Sequence, residues 1–563
     1  MVECGTFAQD AQDRDGLALV GFSSSSCGTP GLGGPQPHCL APDCLGNSVC
    51  PGIGESALAQ STRMAHAVMP VQMKRLYVSG VRKFLAERCE GGRWTWAGGC
   101  SGTDVVKLSF KNIQDYWHES LGLFVDFQQT FAAEKDEAMQ AFLLDQGDSP
   151  VVYPANSCLK ARKGLNLRTG RMSLVPHARC FTGGFSCKNK SPASSKRKQY
   201  RTCVQDKDTS ACTTATYLEM TFWCWTYRPD CIAMENLKET DHKGGDEEIS
   251  HSDAEWIVSD WQAHGYAAMK LLVLAEGFES LPTRTRMFFI GYEGNTHENR
   301  VRLSHVAAMV RCMHIGPGDF DTILLTAEQM VWYYGTPARP PPLKKARSDP
   351  LYKDDHMEVY QACGLMWPPD VQSLHHGIKV ATGTALPVRQ LECAYIYDTL
   401  WPASQGTAEK PATVWHSVDL NEGLKRTLRW DDCRSKEELS SPWVFGRLGH
   451  LTGTTQWLLR RWVTDSMGAR AEYRMLGGIE AMRCIGWDLD SWQEVDGSAN
   501  PFNNELITDA TLLKAAGNAY SAFATTPLLS ALMAGMGIDV AAAVEVPSSA
   551  ASGDSGEDGS ESD

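Results

Sequence analysis

The sequence has no excess of basic residues, no long uninterrupted apolar run and no internal repeat, and each absence excludes a class of protein. Its 563 residues include 53 Lys and Arg against 67 Asp and Glu, a formal net charge of −14, so the whole chain does not have the basic character of a polyphosphate-binding protein. The most apolar stretch, 527–546, is interrupted by Asp539 and by glycines, which favours a buried helix followed by a loop over a membrane span. The missing repeat excludes solenoids and propellers.

The average charge conceals an uneven distribution. Acidic residues are concentrated in a Ser- and Gly-rich stretch, which predicts a disordered acidic tail over residues 541–563. These residues are Asp554, Glu557, Asp558, Glu561 and Asp563. Two basic clusters lie elsewhere, one at Lys196-Arg197-Lys198 with Arg201 and one at Lys344-Lys345 with Arg347. A local positive surface is therefore compatible with the negative total.

The 19 cysteines are spread along the chain, and the acidic N-terminus has no apolar segment typical of a secretory signal, so we expect a reducing compartment. The composition of the first residues predicts a disordered N-terminal arm over residues 1–70. The arm contains possible zinc ligands, but they have no paired CxxC spacing, so we predict no metal site. These ligands are Cys27, His38, Cys39, Cys44 and Cys50.

Hydrophobic periodicity predicts alternating helices and strands up to residue 291. Apolar residues recur at helical spacing over 71–88, and a strand over 93–96 leads into a glycine-rich turn. Further strands are predicted at 123–127, 178–182, 231–234 and 287–290, separated by helices such as 213–227 and 253–264. This alternation indicates an α/β fold with a doubly wound, largely parallel sheet. After about residue 295 the pattern loses its regularity, which indicates a second domain.

Two segments have the features of a nucleotide-type ligand site. The turn from Gly98 to Asp104 follows the first strand, and its glycines would let the backbone approach a ligand closely. Glu134 lies 32 positions beyond Gly102, where a carboxylate can accept hydrogen bonds from ribose hydroxyls. A structural turn and a solvated acid at a helix start remain the alternatives.

Two further strand ends carry reactive groups. Cys187 follows a strand in a glycine-bearing loop, so we expect it to be exposed, and we expect Lys188, Lys190 and the cluster at 196–198 to favour its thiolate. Glu235 ends another strand, 48 positions after Cys187. Because parallel strands bring their carboxyl ends together, the two groups can face one flipped base. An inert packing role remains the alternative for Cys187.

The order of these segments resembles that of the DNA (cytosine-5) methyltransferase family: glycine turn, ribose acid, nucleophile loop, Glu-Asn strand. Later segments resemble the family's remaining motifs, and the match as a whole covers about 95–291 and 474–535. They are Arg284-Thr285-Arg286 (the Arg-x-Arg strand), Arg474 with Glu480-Ala481-Met482-Arg483 (the late arginine and Glu-x-x-Arg motif) and Gly517-Asn518 (the closing Gly-Asn motif). The family carries its target recognition domain in the stretch between.

The resemblance implies a Rossmann-like class I S-adenosylmethionine-dependent methyltransferase fold with an inserted target recognition domain. The implied catalytic domain covers 71–291, the recognition domain 292–473 and a return segment 474–540. The implied contacts to S-adenosylmethionine are Gly99, Ser101, Gly102, Glu134 and Asn518.

The resemblance also implies a reaction. Cys187 would add to carbon 6 of cytosine, and Glu235, kept protonated by burial, would bond to ring nitrogen 3. Arg286 would contact the exocyclic oxygen of the base, and Arg284 would hold the site together, with a strand-end salt bridge as the alternative for both. The implied partner is double-stranded DNA with the cytosine flipped out. No membrane attachment is expected, and the segment 341–347, which resembles a localisation signal, predicts residence in the nucleus.

The sequence departs from the family's pattern in places, and two other functions stay open. Ser186 stands where the family usually has proline, so we expect a less rigid loop. Pro282 or Thr283 takes the place of a family glutamine. The same chemistry would serve an RNA cytosine methyltransferase, and a catalytically silent DNA-binding homologue is also possible. The long stretch between the motifs favours DNA, and the presence of all the predicted catalytic residues favours an enzyme.

Overall fold

The structure, a computed structural model, describes residues 56–145, 149–191, 202–242, 251–334, 352–365, 388–402, 413–420, 424–428, 430, 439–449, 451, 456–466, 468–487, 502 and 504–543. Several sequence predictions concern residues outside these ranges. They are the N-terminal arm up to residue 55 with its cysteines, the basic cluster at 196–201, the localisation-like segment at 341–347 and the acidic tail from residue 544.

Helices and strands alternate along the chain as predicted. The helices are α1 (Ala57–Ala67), α2 (Val71–Arg88), α3 (Val105–Leu121), α4 (Glu137–Asp145), α5 (Ser157–Ala161), α6 (Cys212–Tyr227), α7 (Asp253–Ala263), α8 (His297–Cys312), α9 (Ala327–Tyr334), α10 (Tyr352–Ala362), α11 (Val388–Leu400), α12 (Leu424–Thr427), α13 (Gly478–Cys484), α14 (Asp509–Asn518), α15 (Ala522–Met536) and α16 (Val540–Ala543). The strands are β1 (Arg93–Gly99), β2 (Asp126–Ala133), β3 (Val152–Tyr153), β4 (Lys163–Asn166), β5 (Arg171–Leu174), β6 (Cys180–Gly184), β7 (Cys231–Leu237), β8 (Tyr266–Leu274), β9 (Thr285–Glu293), β10 (His416–Asp419), β11 (Val444–Phe445), β12 (Trp457–Asp465) and β13 (Gly468–Met475).

The largest sheet has seven strands in the order β3-β2-β1-β6-β7-β9-β8. Neighbours from β3 to β7 are parallel, whereas β9 runs antiparallel to both β7 and β8. The strand order reverses between β1 and β6, and ligands of doubly wound sheets bind outside the carboxyl ends of the strands at such a reversal. The predicted α/β class with a largely parallel sheet is confirmed.

The central strands are apolar at successive positions because both of their faces are covered. In β7, Cys231 and Ala233 pack into one apolar core, while Ile232 and Met234 pack into the other. Side chains alternate between the faces of a strand, so a strand buried on both sides needs apolar residues throughout. Glu235 breaks this run near the carboxyl edge of the sheet, where β7 reaches the candidate site.

Helices cover both faces of the sheet. The helices α1, α2, α3, α8 and α15 contribute to one core, and α6 and α7 to the other. Every residue of α15 is buried, in agreement with the buried helix predicted in 527–546. At Gly80 of α2 a Cβ would lie 2.3 Å from the carbonyl oxygen of Ala534 in α15, so this crossing requires glycine. Within the described ranges, no helix has both the length and the apolar character of a membrane span.

Residues between α9 and α13 form a second, smaller core. Its sheet is antiparallel, in the order β11-β10-β12-β13, and buried residues of α10 and α11 pack against it. Leu448, close to this core in the chain, accepts a hydrogen bond from Thr283 N (2.9 Å) and donates one to Leu281 O (3.0 Å). These bonds attach the inserted region to the segment that leads into β9. Its role in target recognition stays a prediction.

The structure differs from the predicted division of the chain at two helices that pack into the large core. The arm predicted over 1–70 includes α1, which buries Leu58 and Ala65, and Ser56 Oγ caps this helix by accepting from Ala59 N (3.2 Å). The predicted domain boundary at residue 291 assigns α8 to the second domain. In the structure, Val306 of α8 is buried in one of the two cores that flank the large sheet. The sequence did not indicate α1 because most of its buried side chains are small or polar, which leaves little apolar periodicity.

Candidate active site

The turn after β1 bends the backbone sharply where the strand order reverses. Cys100, Gly102 and Asp104 have positive φ angles of 50°, 54° and 55°. For a residue other than glycine this conformation costs about 1–2 kcal/mol, and such strained residues cluster at ligand sites. Asn156 holds the turn, because its Oδ1 accepts from Cys100 N at 3.1 Å and its Nδ2 donates to Cys100 Sγ at 2.8 Å.

Glu134 follows β2 and faces this turn. Its Oε2 accepts from Gly102 N at 2.8 Å, and its Oε1 accepts from Lys135 N at 2.8 Å and Asp136 N at 2.9 Å. A carboxylate has about four acceptor sites, so these bonds leave one on Oε2. Glu134 can therefore receive one ribose hydroxyl without losing a backbone partner, and it also ties the glycine turn to β2.

Hydrogen bonds hold the loop that follows β6. Ser186 N donates to Thr216 Oγ1 at 2.9 Å, and Ser186 Oγ lies 3.2 Å from Cys212 Sγ, so α6 anchors the residue before Cys187. Asn236 Nδ2 donates to Phe185 O at 3.0 Å from β7. A proline at position 186 would have no N–H for the first bond. Proline, which the resembled family usually has here, would fix the φ angle of residue 186. Ser186 is held instead by its contacts to α6.

Cys187 is exposed, as expected, and borders the cavity described below. Although the residue as a whole is exposed, protein atoms surround its sulfur, and this desolvation raises the pKa of the thiol; the negative charge of Glu235 raises the pKa further. Arg286 and Arg284 act in the opposite direction but do not compensate. The thiol is therefore held mainly in its protonated form while Glu235 is ionised.

The prediction that Lys190 favours the thiolate is wrong. The Nζ of Lys190 is buried in an ion pair with Asp253, the first residue of α7. Asp253 also accepts from Gln205 N (2.9 Å) and Val204 N (3.3 Å). Lys190 thus joins the Cys187 loop to two other segments, whereas the side chain of Lys188 is exposed. The sequence could not distinguish two lysines that are so close in the chain.

Glu235 and two arginines form the charged centre of the site. Glu235 Oε1 lies 2.6 Å from Arg286 Nε. Burial raises the pKa of Glu235, although Arg286 and Arg284 lower it. Burial, with the repulsion from Arg286, lowers the pKa of Arg284 to about 9. Arg284, the residue before β9, also donates to Ala516 O (3.1 Å) in α14.

A cavity of about 300 Å³ brings these groups together at the carboxyl edge of the sheet. The predicted residues that line it are Ser101, Gly102, Glu134, Cys187, Glu235, Arg284, Arg286 and Asn518. Gly99, predicted to contact the cofactor, does not line the cavity. A Cβ at Gly99 would lie 2.7 Å from Met220 Sδ and 3.0 Å from Phe181 Cζ, so this glycine permits close packing of β1 on α6.

Sequence reasoning missed three residues of the site. Asn156 and Thr216 hold the two loops from outside any motif, and no signal in the sequence indicates them. Tyr520 also lines the cavity, and its position two residues after Asn518 could have drawn attention to it.

No protein-family model matches this chain, and no curated protein matches it in sequence. Several solved structures are similar, each over 78% of this chain and 98% of the other. They are the methyltransferase EhMeth of Entamoeba histolytica (10% identity, TM-score 0.39), a protein described as a DNA modification methyltransferase of an E. coli prophage (13%, 0.35) and the Dnmt2 methyltransferase of S. pombe (10%, 0.35).

Proposed function

We propose that this protein is a DNA (cytosine-5) methyltransferase that uses S-adenosylmethionine. One observation carries the proposal: the Cys187 thiol and the Glu235 carboxyl, whose pKa values are both raised, share a cavity with two arginines and the turn after β1. Shifted pKa values in a cavity are typical of catalytic groups. A nucleophile beside a buried acid is the pair that addition to cytosine requires.

The residues of the cavity fit S-adenosylmethionine. Ser101 Oγ is buried without a hydrogen-bond partner among the described residues, and Glu134 retains an acceptor site. Val105 and Met139 provide apolar contacts in the same wall. A few polar groups on a largely apolar wall are typical of sites for small cofactors. When bound, S-adenosylmethionine supplies the methyl group.

The protonation states of Cys187 and Glu235 depend on each other. While Glu235 is ionised, its charge raises the pKa of the Cys187 thiol. Moving one proton from the thiol to Glu235 gives a thiolate and a neutral acid without changing the total charge. Arg284 and Arg286 then remain as counterions of the thiolate. We infer that this form of the site is the reactive one.

In the proposed reaction the Cys187 thiolate forms a bond to carbon 6 of a flipped cytosine. The ring electrons move towards nitrogen 3, where the proton of Glu235 stabilises the developing charge, and carbon 5 becomes nucleophilic. After methylation, a water molecule accepts the carbon 5 proton, the electrons of that C–H bond restore the double bond between carbons 5 and 6, and the sulfur leaves carbon 6 as the Cys187 thiolate. Arg286 holds Glu235 in place throughout.

Methyl transfer from labelled S-adenosylmethionine tests the proposal. Purified protein is incubated with duplex DNA or with RNA of the same sequence, and the products are sequenced. We expect 5-methylcytosine in DNA, and none with Cys187→Ala. Methylated RNA with unmodified DNA would establish the RNA enzyme instead. If the protein binds DNA but methylates neither substrate, the silent homologue is the correct assignment. Residence in the nucleus stays a separate proposal.

A further inference from the structure

A groove lined by basic side chains runs along the exposed face of α2. Its lining residues recur at helical spacing, and the groove has a volume of about 590 Å³. They are Lys74, Arg75, Val78, Ser79, Arg82 and Lys83. Tyr77, Val81 and Phe84 lie on the other face of the helix and are buried in the large core. The packing of α2 therefore fixes four cationic side chains on one side of a rigid helix.

Most of the positive charge of this groove has no partner among the described residues. Lys74, Arg75 and Arg82 are exposed and form no ion pair within the described ranges. Only Lys83 does so there, with its Nζ 3.9 Å from Glu87 Oε1 and 3.8 Å from Asp539 Oδ2. Like charges held close together repel each other, and an acidic segment that contacts them relieves the repulsion. The groove thus fits an acidic partner.

The described part of the chain ends beside this groove. After α15 the chain packs on α2 at Gly537, where a Cβ would lie 2.6 Å from Phe84 N. Asp539 then pairs with Lys83, and α16 ends four residues further on. Residues 544–563 come next and lie outside the described ranges. This segment consequently starts close to the Lys83 end of the groove.

The segment 544–563 has the charge and the length to occupy the groove. It contains acidic residues and no lysine or arginine. The acidic residues are Glu545, Asp554, Glu557, Asp558, Glu561 and Asp563. An extended chain spans about 3.3 Å per residue, whereas the helix rises only about 13 Å from Lys74 to Lys83. The acids from Asp554 onwards can therefore reach either end of the groove.

We propose that the acidic segment 544–563 docks on the basic groove of α2, with its carboxylates paired to Lys74, Arg75 and Arg82. Exposed ion pairs are individually weak, but the tether to α16 gives the segment a high effective concentration, so several weak pairs suffice. The docked segment covers the groove and shields it from other polyanions, such as the phosphates of DNA. The docking does not depend on the chemistry proposed for Cys187.

Zero-length cross-linking of the full chain tests the docking. A carbodiimide joins a carboxylate to a lysine amine when the two are in contact, and mass spectrometry identifies the joined peptides. We expect cross-links between the acids of 554–563 and Lys74, which lies at the end of the groove far from Asp539. High salt should reduce their yield, because exposed charges are screened.

Two double variants separate docking from the effect of the tether alone. Arg75→Gln with Arg82→Gln removes two groove charges and leaves the lysines in place, so the yield at Lys74 should fall about fivefold, the effect of two exposed ion pairs. Arg162→Gln with Arg171→Gln is the matched control, since both arginines are exposed and lie at the hairpin of β4 and β5. It should keep the yield. Equal yields in the two variants, or no cross-link at Lys74, would overturn the docking.

Binding of non-specific duplex DNA tests whether the segment covers the groove. Replacing the six acids of 544–563 by Asn and Gln should raise the affinity for DNA, and adding Arg75→Gln with Arg82→Gln should remove most of that rise. The proposal is overturned if the acid replacements give no rise. It is also overturned if the two arginine substitutions lower the affinity by the same factor with and without the acids, because the groove would then be open to DNA in the intact protein.

Discussion

Glu235 Oε1 and Arg286 Nε are 2.6 Å apart because β7 and β9 pair in antiparallel register, with Leu237 opposite Arg286. An arginine at this distance favours the ionised carboxylate, yet the pKa of Glu235 is raised. Burial therefore outweighs the ion pair. Arg286 opposes protonation of Glu235 and at the same time lowers the pKa of Cys187, so it couples the protonation of the two proposed catalytic groups.

Replacing Glu235 by Gln should lower the pKa of the Cys187 thiol, since the carboxylate is one of the groups that raise it. Replacing Arg286 by Met should raise the thiol pKa further. The rate of alkylation of Cys187 at a series of pH values, measured by mass spectrometry of its peptide, reports this pKa. The midpoint should move to lower pH in the first variant and to higher pH in the second. Identical midpoints in all three proteins would show that these charges do not act on the thiol.

Lys190→Met should destabilise the fold, because it leaves the carboxylate of Asp253 buried without its ion-pair partner. Breaking a buried pair from one side typically costs about 3–5 kcal/mol. Lys188→Met is the matched control, since that lysine is exposed in the same loop. Denaturant unfolding should show a large loss for the first variant and little change for the second. Equal stabilities would mean that Lys190 and Asp253 do not pair in solution.

Introducing the family's proline at position 186 should weaken the loop. Ser186→Pro removes the N–H that donates to Thr216 Oγ1, whereas Ser186→Ala retains it. Losing a bond while its buried acceptor remains costs about 1–3 kcal/mol. Hydrogen exchange of the peptide that contains Cys187 should be faster in the proline variant than in the alanine variant. Faster exchange in the alanine variant alone would instead assign the anchoring to the Ser186 hydroxyl, which lies 3.2 Å from Cys212 Sγ.

Glu134→Ala should weaken binding of S-adenosylmethionine by more than the loss of one ribose contact. The carboxylate also accepts the backbone N–H groups of Gly102, Lys135 and Asp136. Glu134→Gln keeps one acceptor oxygen and should retain part of the affinity. Each lost bond to a charged acceptor is worth about 1.5–3 kcal/mol. Calorimetry should give the highest affinity for the unsubstituted protein, a lower one for Glu134→Gln and the lowest for Glu134→Ala. Equal affinities would show that Glu134 does not contact the cofactor.

The apolar pattern predicted some elements well and others poorly. The helix predicted over 71–88 has those bounds as α2, since one apolar face repeats along it. The strand predicted at 123–127 is instead β2, Asp126–Ala133. Gly122 ends α3 with a positive φ of 64°, and the apolar residues after it form the connection. The strand itself contains Gln129, whose side chain donates to Asp104 Oδ2 at 2.7 Å, so tertiary contacts accommodate a residue that periodicity excludes.

All of the residues predicted for the site except Gly99 line the cavity. Strand ends and the order of the motifs were enough to predict them. Glu235 lies near the end of β7, opposite Gly184 of β6, and Cys187 follows β6, so the pairing of these parallel strands brings both groups to one edge. The position of a residue in the sequence does not determine the direction in which its side chain points. Lys190 turns into the protein, and Gly99 packs closely against Met220 and does not line the cavity. Only the assembled packing distinguishes these cases.

Covalent trapping on DNA tests whether Cys187 is the nucleophile. Duplex DNA that carries 5-fluorocytosine in place of cytosine has no proton on carbon 5, so release of the enzyme after methyl transfer is blocked. The unsubstituted protein should form a denaturant-resistant complex only when S-adenosylmethionine is present. Cys187→Ser should form none while still binding the cofactor. A complex that persists in the serine variant would contradict the assignment of Cys187 as the nucleophile, and the absence of any complex with the unsubstituted protein would contradict covalent catalysis on DNA.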